Sequence, residues 1–251
     1  MTRIAIVTGA SSGLGAELVH RLEGGALGPL DQIWAVSRRP GATGPLVRPF
    51  ALDLTDPASF DALEDALRKT PGARVVLLAN NAGFGTFGDF ADMPAPDNAA
   101  MARLLMLAPV ELTYRALPFM GPGSRVLNVS SVAAFMPQPQ LATYSAAKRF
   151  VLDFSRALDA ELGDVDIHVT ALCPRFMRTA FLDHAGADDV AERMSGLTGF
   201  EDAGRVAERG LAAARAGRAL CIPSASMRAL YLATKLLPYP LVLAAERALM
   251  G

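Results

Sequence analysis

The chain has 251 residues, 51% of them apolar, enough to bury a large core in a single domain spanning residues 1–251. Its 24 basic and 25 acidic side chains leave a formal charge of −1, which excludes a broad basic surface for nucleic acid. Two cysteines, Cys173 and Cys221, are too few for a disulfide framework; no metal-ligand cluster and no run of about 18 uncharged apolar residues occurs, so a cytoplasmic protein without metal is expected.

The short apolar run Ile4 to Thr8 ends in glycine and predicts a buried strand rather than a secretory leader. Thr8-Gly9-Ala10-Ser11-Ser12-Gly13-Leu14-Gly15 then leads into a helix over Leu14 to Glu23. Gly9 permits a tight exit from the strand, Gly13 lets an anion approach the backbone, and Gly15 lets helix and sheet pack closely. Ser11 and Ser12 add hydroxyl donors, and the helix start, from Gly13 and Leu14 on, adds N–H groups and a positive dipole end. Following a buried strand, this turn predicts a dinucleotide site. The second strand, Gln32 to Ser37, runs into Arg38 and Arg39 without a carboxylate to hold a ribose 2′-hydroxyl. A guanidinium can pair bidentately with a 2′-phosphate, so Arg38, supported by Ser37, predicts NADP (NADPH) over NAD. A solvated basic turn is the alternative.

Residues 40–47 read as a loop, and Asp56 with Pro57 opens a helix reaching Lys69. Arg74 to Ala79 is a continuous apolar strand, expected where helices cover both faces. A long helix from Asp97 to Met120 is bent or broken at Pro109 and Pro118. A strand over Arg125 to Ser130, a helix over Ala142 to Leu162 and a strand over Ile167 to Leu172 follow. This alternation implies an α/β fold, a Rossmann-type doubly wound parallel sheet of about seven strands with helices on both faces. Residues 175–200 are long enough for a substrate lid, and 224–251 form an apolar helical tail.

Tyr144-Ser145-Ala146-Ala147-Lys148 places a phenol and an ammonium one helical turn apart. A free tyrosine, with a pKa of about 10, transfers protons poorly at neutral pH, and a nearby cation favours its phenolate. Ser131 ends a strand thirteen residues earlier, at the sheet edge where ligands bind in such folds.

At this point the chain resembles the short-chain dehydrogenase/reductase family over about residues 3 to 180. Thr8 to Gly15 is similar to its TGxxxGxG turn, and Asp53-Leu54 to its adenine-contacting pair. Asn80-Asn81-Ala82-Gly83 matches its NNAG segment, Ser131, Tyr144 and Lys148 its Ser…YxxxK site, and Pro174 to Thr179 part of its PGxxxT segment. The resemblance implies that Tyr144 exchanges a proton with a substrate carbonyl oxygen while NADPH supplies hydride. Ser131 would orient that oxygen, and Lys148 would lower the tyrosine pKa and hold the nicotinamide ribose. Asn81, Ala82 and Gly83 would line the adenine-ribose side, Pro174 the nicotinamide, and Thr179 its carboxamide. Two positions depart from the pattern. Leu105 stands where the family carries an Asn that holds a proton-relaying water, and Arg175 replaces a glycine beside the nicotinamide, turned to solvent or marking an anionic substrate.

Phe84, Phe87, Phe135 and Met136 follow strand ends and wall a pocket or pack in the core; Phe176, Met177 and Phe181 favour an apolar or mixed substrate. His20 and His168 read as structural, and His184 as a possible lid contact. The helix after Ser224 covers the pocket or an oligomer interface, in a homodimer or homotetramer, or else lies on a membrane surface. The leading function is carbonyl–alcohol interconversion of a small molecule. A dinucleotide-binding sensor or partner-binding protein, supported by Leu105, is the alternative. An epimerase or dehydratase of nucleotide sugars has too little chain after Pro174 for its substrate domain.

Overall fold

Strands β1 (Thr2–Thr8), β2 (Gln32–Ser37), β3 (Val47–Ala51), β4 (Ala73–Asn80), β5 (Arg125–Val129), β6 (His168–Leu172) and β7 (Leu220–Cys221) form one sheet. Its order is β3-β2-β1-β4-β5-β6-β7, with every neighbouring pair parallel. The computed structural model describes residues 1–39, 41–177, 199–238 and 240. The helices are α1 (Gly13–Glu23), α2 (Ala58–Lys69), α3 (Ala95–Ala102), α4 (Ala108–Ala116), α5 (Ala142–Leu162), α6 (Ala203–Arg215) and α7 (Ala225–Leu236), written α1 to α7 for the described residues.

The strands alternate between two cores, because successive side chains point to opposite faces. On β1, Ala5 and Val7 meet Leu14, Leu18 and Leu22 of α1 and Val206 and Leu211 of α6. Ile4 and Ile6 face Phe60, Leu63 and Leu67 of α2 and Leu112 of α4. The chain winds outward from β1 in both directions, so the crevice at the carboxyl ends of β1 and β4 is the switch point where such sheets bind ligands.

Two strands escape the sequence pattern. Val47-Arg48-Pro49-Phe50-Ala51 carries a proline and an arginine, both tolerated because β3 is an edge strand pairing with β2 alone. Arg48 lies over the Trp34 and Phe50 rings, 5.2 and 5.0 Å from their centroids. At the other edge β7 is only two residues long. Helix α6, also unassigned from sequence, starts at Asp202, whose carboxylate accepts the Arg205 N–H at 2.9 Å.

The helix expected from Asp97 to Met120 is broken into pieces. Between α3 and α4 lies a π-helical turn, Arg103–Leu107, in which the Ala108 N–H reaches back five residues to the Arg103 carbonyl. Pro109 brings no N–H for the Leu105 carbonyl, and the wider turn absorbs that missing donor. After α4 a 3-10 turn, Leu117–Phe119, contains Pro118.

Helix α7 sets Met227 and Tyr231 against Phe135, with 4.9 Å between the two ring centroids. Among the described residues no helix is long and apolar enough to cross a membrane. Tyr239, residues 241–251 and most of the expected lid, with Thr179, Phe181 and His184, lie outside the described residues.

Candidate active site

A cavity of about 460 Å³ follows the carboxyl edge of the sheet, and residues from most of the motifs read in the sequence line it. At its base the ends of β1 and β4 are stitched together. The Thr8 hydroxyl oxygen accepts the N–H groups of Asn81 and Ala82, each at 2.9 Å, and the Asn81 amide donates to the Thr8 carbonyl at 2.9 Å. This holds the glycine turn against the Asn81-Ala82-Gly83 segment. A Cβ on Gly15 would stand 2.1 Å from the Gly9 carbonyl, and one on Gly9, at φ +66°, would stand 2.9 Å from the Ala82 Cα. Both positions exclude any side chain.

The turn has the donors a pyrophosphate needs. Ser12 caps α1 in an extended conformation without a side-chain cap bond, and no acid stands in the first turn. Ser11, Ser12, Gly13 and Leu14 all face the cavity. Farther out, Ser37 donates to the Arg39 carbonyl at 2.6 Å, which folds the turn that carries Arg38 into the cavity wall. Asp53 and Leu54 stand beside it. The Asp53 carboxylate accepts the Thr55 N–H at 2.9 Å and its hydroxyl at 2.8 Å. The Thr55 N–H chiefly, with its hydroxyl and the charge of Arg38, holds the Asp53 carboxyl below the usual carboxylate range against the opposing effect of burial. These residues fit a dinucleotide whose pyrophosphate lies on α1 and whose adenosine lies toward Arg38 and Asp53.

Ser131, Tyr144 and Lys148 meet at the other end. Ser131 opens the 3-10 turn Val132–Ala134 by accepting the Ala133 N–H at 3.1 Å, and its hydroxyl is hydrogen bonded to Tyr144. Lys148 is buried, and its ammonium donates to the Val129 carbonyl at 2.8 Å, while Ser130 donates to the Lys148 carbonyl at 2.7 Å. The ammonium lies 5.6 Å from the centroid of the Tyr144 ring.

Electrostatically the pair differs from expectation. Burial pushes the Tyr144 hydroxyl up to about 12, against the opposing effect of the Ser131 hydrogen bond. Burial also brings Lys148 down to about 8, opposed by its interaction with Cys173. Sequence spacing sets the two side chains one turn apart but not where the ammonium points. Here it is tied to the Val129 carbonyl at the end of β5.

Leu105 belongs to the apolar packing around Tyr144. It is 1% exposed and packs with Met101, Ala147, Phe84 and Tyr144. A Cβ placed on Gly83 would meet the Leu105 Cδ2 at 2.7 Å and the Lys148 Nζ at 3.8 Å. The leucine side chain and the lysine ammonium thus both flank Gly83.

Arg175 is half-buried rather than turned to solvent. Its guanidinium donates to the Phe200 carbonyl at 3.3 Å, and its N–H donates to the Glu201 carboxylate at 3.0 Å. Pro174, Phe84, Phe87, Phe176 and Met177 line the cavity, whereas Phe135 is in the core and Met136 is not part of the lining. His168 pairs with Asp159 at 3.3 Å, and His20 is exposed on α1; neither lines the cavity.

Sequence reasoning missed Gln138, Asp97 and Leu104, which also line the cavity. It missed a buried polar chain beneath the site as well. Asn80 donates to Asn128 at 2.8 Å and to Thr113 at 3.2 Å, and Asn128 donates to Ser155 at 2.9 Å, joining α4 to α5 through the sheet. The signal was available, since an asparagine inside the apolar strand Arg125–Val129 must be satisfied when buried.

A family model described as short chain dehydrogenase matches residues 3–189. The chain belongs to the short-chain dehydrogenase family. Among curated relatives, it is 31% identical over 202 residues to sulfoacetaldehyde reductase of Chromohalobacter salexigens, covering 76% of this chain and 79% of that protein. It is 30% identical over 190 residues to the probable oxidoreductase EphD of Mycobacterium tuberculosis, covering 72% of this chain but 32% of that one. The chain therefore spans about a third of the length of the EphD proteins it matches. Among solved structures, a short-chain dehydrogenase from Sphingobium yanoikuyae in complex with NADPH superposes with a TM-score of 0.76 at 25% identity, covering 94% of this chain and 92% of that one. A Burkholderia phymatum member in complex with NAD shares the fold, with a TM-score of 0.79 at 23% identity, over 92% of each chain. The matched region is a short-chain dehydrogenase domain.

Proposed function

We propose that this chain is an NADP(H)-dependent reductase of small-molecule carbonyl compounds, in which Tyr144 donates the proton. The observation that carries this reading is one continuous cavity, with Ser131, Tyr144 and Lys148 at one end and Arg38 at the other. Bound NADPH supplies hydride to the carbonyl carbon. The Ser131 hydroxyl orients the carbonyl oxygen, and Tyr144 hands it a proton across a short hydrogen bond. A phenol pushed up to about 12 is protonated at neutral pH and so holds the proton that reduction of the carbonyl requires. Lys148, brought down to about 8, stays mainly charged at pH 7 and can hold a ribose hydroxyl from its place beside Val129. Ser11, Ser12, Gly13 and Leu14 hold the pyrophosphate, and Gly15 lets the helix start pack against Gly9. Asp53, Leu54, Asn81, Ala82 and Gly83 line the adenosine side, with Pro174 at the nicotinamide.

The preference for NADPH rests on Arg38, with no carboxylate at the end of β2 to repel a 2′-phosphate. Oxidation of NADPH and NADH with a carbonyl panel tests it. Arg38→Asp should weaken NADPH far more than NADH, and equal loss would mean that Arg38 does not read the phosphate. The sensor reading draws its support from Leu105, an apolar residue packed against Tyr144 where the family carries an Asn. It predicts tight NADPH binding with no turnover on any carbonyl. Self-association is favoured by Leu107, Tyr114 and Phe150, exposed on the α4–α5 side at 56%, 77% and 40%. Light scattering of the purified chain reads the oligomeric state directly.

A further inference from the structure

Resting on that assignment, we infer the substrate class: an uncharged carbonyl compound bearing an aromatic or comparably flat apolar group. Three phenylalanines line the cavity that Tyr144 also lines. Phe84 and Phe87 come from the segment after β4, and Phe176 from the segment after β6. Phe87 and Phe176 approach each other with ring centroids 6.4 Å apart and planes 30° from parallel. Leu141, 2% exposed, and Met177 complete an apolar wall on the same cavity. Flat rings and a thioether accept a flat apolar group edge-on or offset-stacked, a geometry that adds to simple burial.

The charges on this wall argue against an ionic substrate. Arg175 lines the same cavity, and its guanidinium donates to the Phe200 carbonyl, close to Gly199. Asp97 is a carboxylate at the same wall, and it repels an anion. A carboxylate, sulfonate or phosphate entering among Phe84, Phe87 and Phe176 would give up its water to apolar rings, and the Arg175 guanidinium at this cavity is already bonded to the Phe200 carbonyl.

The test uses the intact chain with NADPH. It compares kcat/KM for acetophenone, butanone and the anionic aldehyde succinic semialdehyde. The expected result is acetophenone favoured over butanone by about tenfold or more, as burial of a ring predicts, with succinic semialdehyde poorest. Phe176→Ala should collapse the acetophenone-to-butanone ratio, and Phe176→Leu, which keeps the wall apolar, should retain part of it. Preference for succinic semialdehyde, or a ratio unchanged by Phe176→Ala in folded protein, overturns the inference. If no compound turns over, binding to the NADPH complex is followed by nicotinamide fluorescence. Selective binding of acetophenone then supports the substrate class while refuting hydride transfer, and selective binding of the anion, or none of either, overturns it.

Discussion

Lys148 offers a thermodynamic test that needs neither cofactor nor substrate. Its ammonium is buried, with one hydrogen bond to the Val129 carbonyl and the apolar Leu105 side chain close by. The fall from 10.5 to about 8 means that holding the charge in the fold costs about 3 kcal/mol relative to the unfolded chain, at about 1.36 kcal/mol per tenfold change in proton affinity. Replacing Lys148 by Met removes that cost. It also leaves the Val129 carbonyl without its donor, which costs about 1 kcal/mol or somewhat more. Lys148→Met should therefore raise stability by about 2 kcal/mol at pH 7 while abolishing activity. The pH dependence is distinctive. Because the folded pKa lies below the unfolded one, between about 8 and 10.5 the unfolded chain holds the extra proton, and wild-type stability rises with pH. The advantage of the variant should shrink across that window and turn into a deficit of about 1 kcal/mol above it, where only the unpaired Val129 carbonyl is left. Urea unfolding of both proteins without cofactor, at pH 7 and pH 10.5, measures this. A variant less stable than wild type at pH 7, or a difference identical at both pH values, would refute the burial argument.

Leu105→Asn should let water reach the ammonium, moving the Lys148 pKa toward its ordinary value and the alkaline limb of the kcat/KM profile from near pH 8 upward. An unmoved limb would show that Leu105 does not control the lysine. The same change loosens the Met101–Ala147 cluster and should lower stability by about 2 kcal/mol or more in urea unfolding. Gly15→Ala must push against the Gly9 carbonyl 2.1 Å away, so NADPH affinity by fluorescence titration should fall at least about tenfold. Gly25→Ala is the control: at φ +84° with open space around it, it should cost only about 1 kcal/mol of local strain and leave NADPH affinity intact.

What was legible in the sequence was whatever is local. The helix Ala142–Leu162 and the strand Gln32–Ser37 coincide with their expected limits, since capping, periodicity and apolar runs specify them over a few residues. The glycine turn is legible because each glycine has its own steric reason. Edge strands were not, because one partner and one exposed side relax the pattern, as Pro49 in β3 shows. Non-local contacts were invisible for a different reason. Asn80 and Asn128 are 48 positions apart, and Asn128 and Ser155 are 27 apart, so only the assembled sheet brings them together. The Tyr144–Lys148 pair shows the limit most clearly. Spacing sets their separation along α5, but the direction of the ammonium depends on the Val129 carbonyl at the end of β5. Arg175 is similar, since its partner at Phe200 lies across residues 178–198.

The central claim is proton donation by Tyr144 in a hydride transfer from NADPH. Its most direct test is a turnover with NADPH carrying deuterium at the transferable nicotinamide position, followed by mass analysis of the alcohol formed. The account predicts one deuterium on the carbinol carbon with wild-type protein. Tyr144→Phe should bind NADPH as tightly yet form product at least about a hundredfold more slowly. Deuterium transfer at the wild-type rate by the Tyr144→Phe variant would contradict the account.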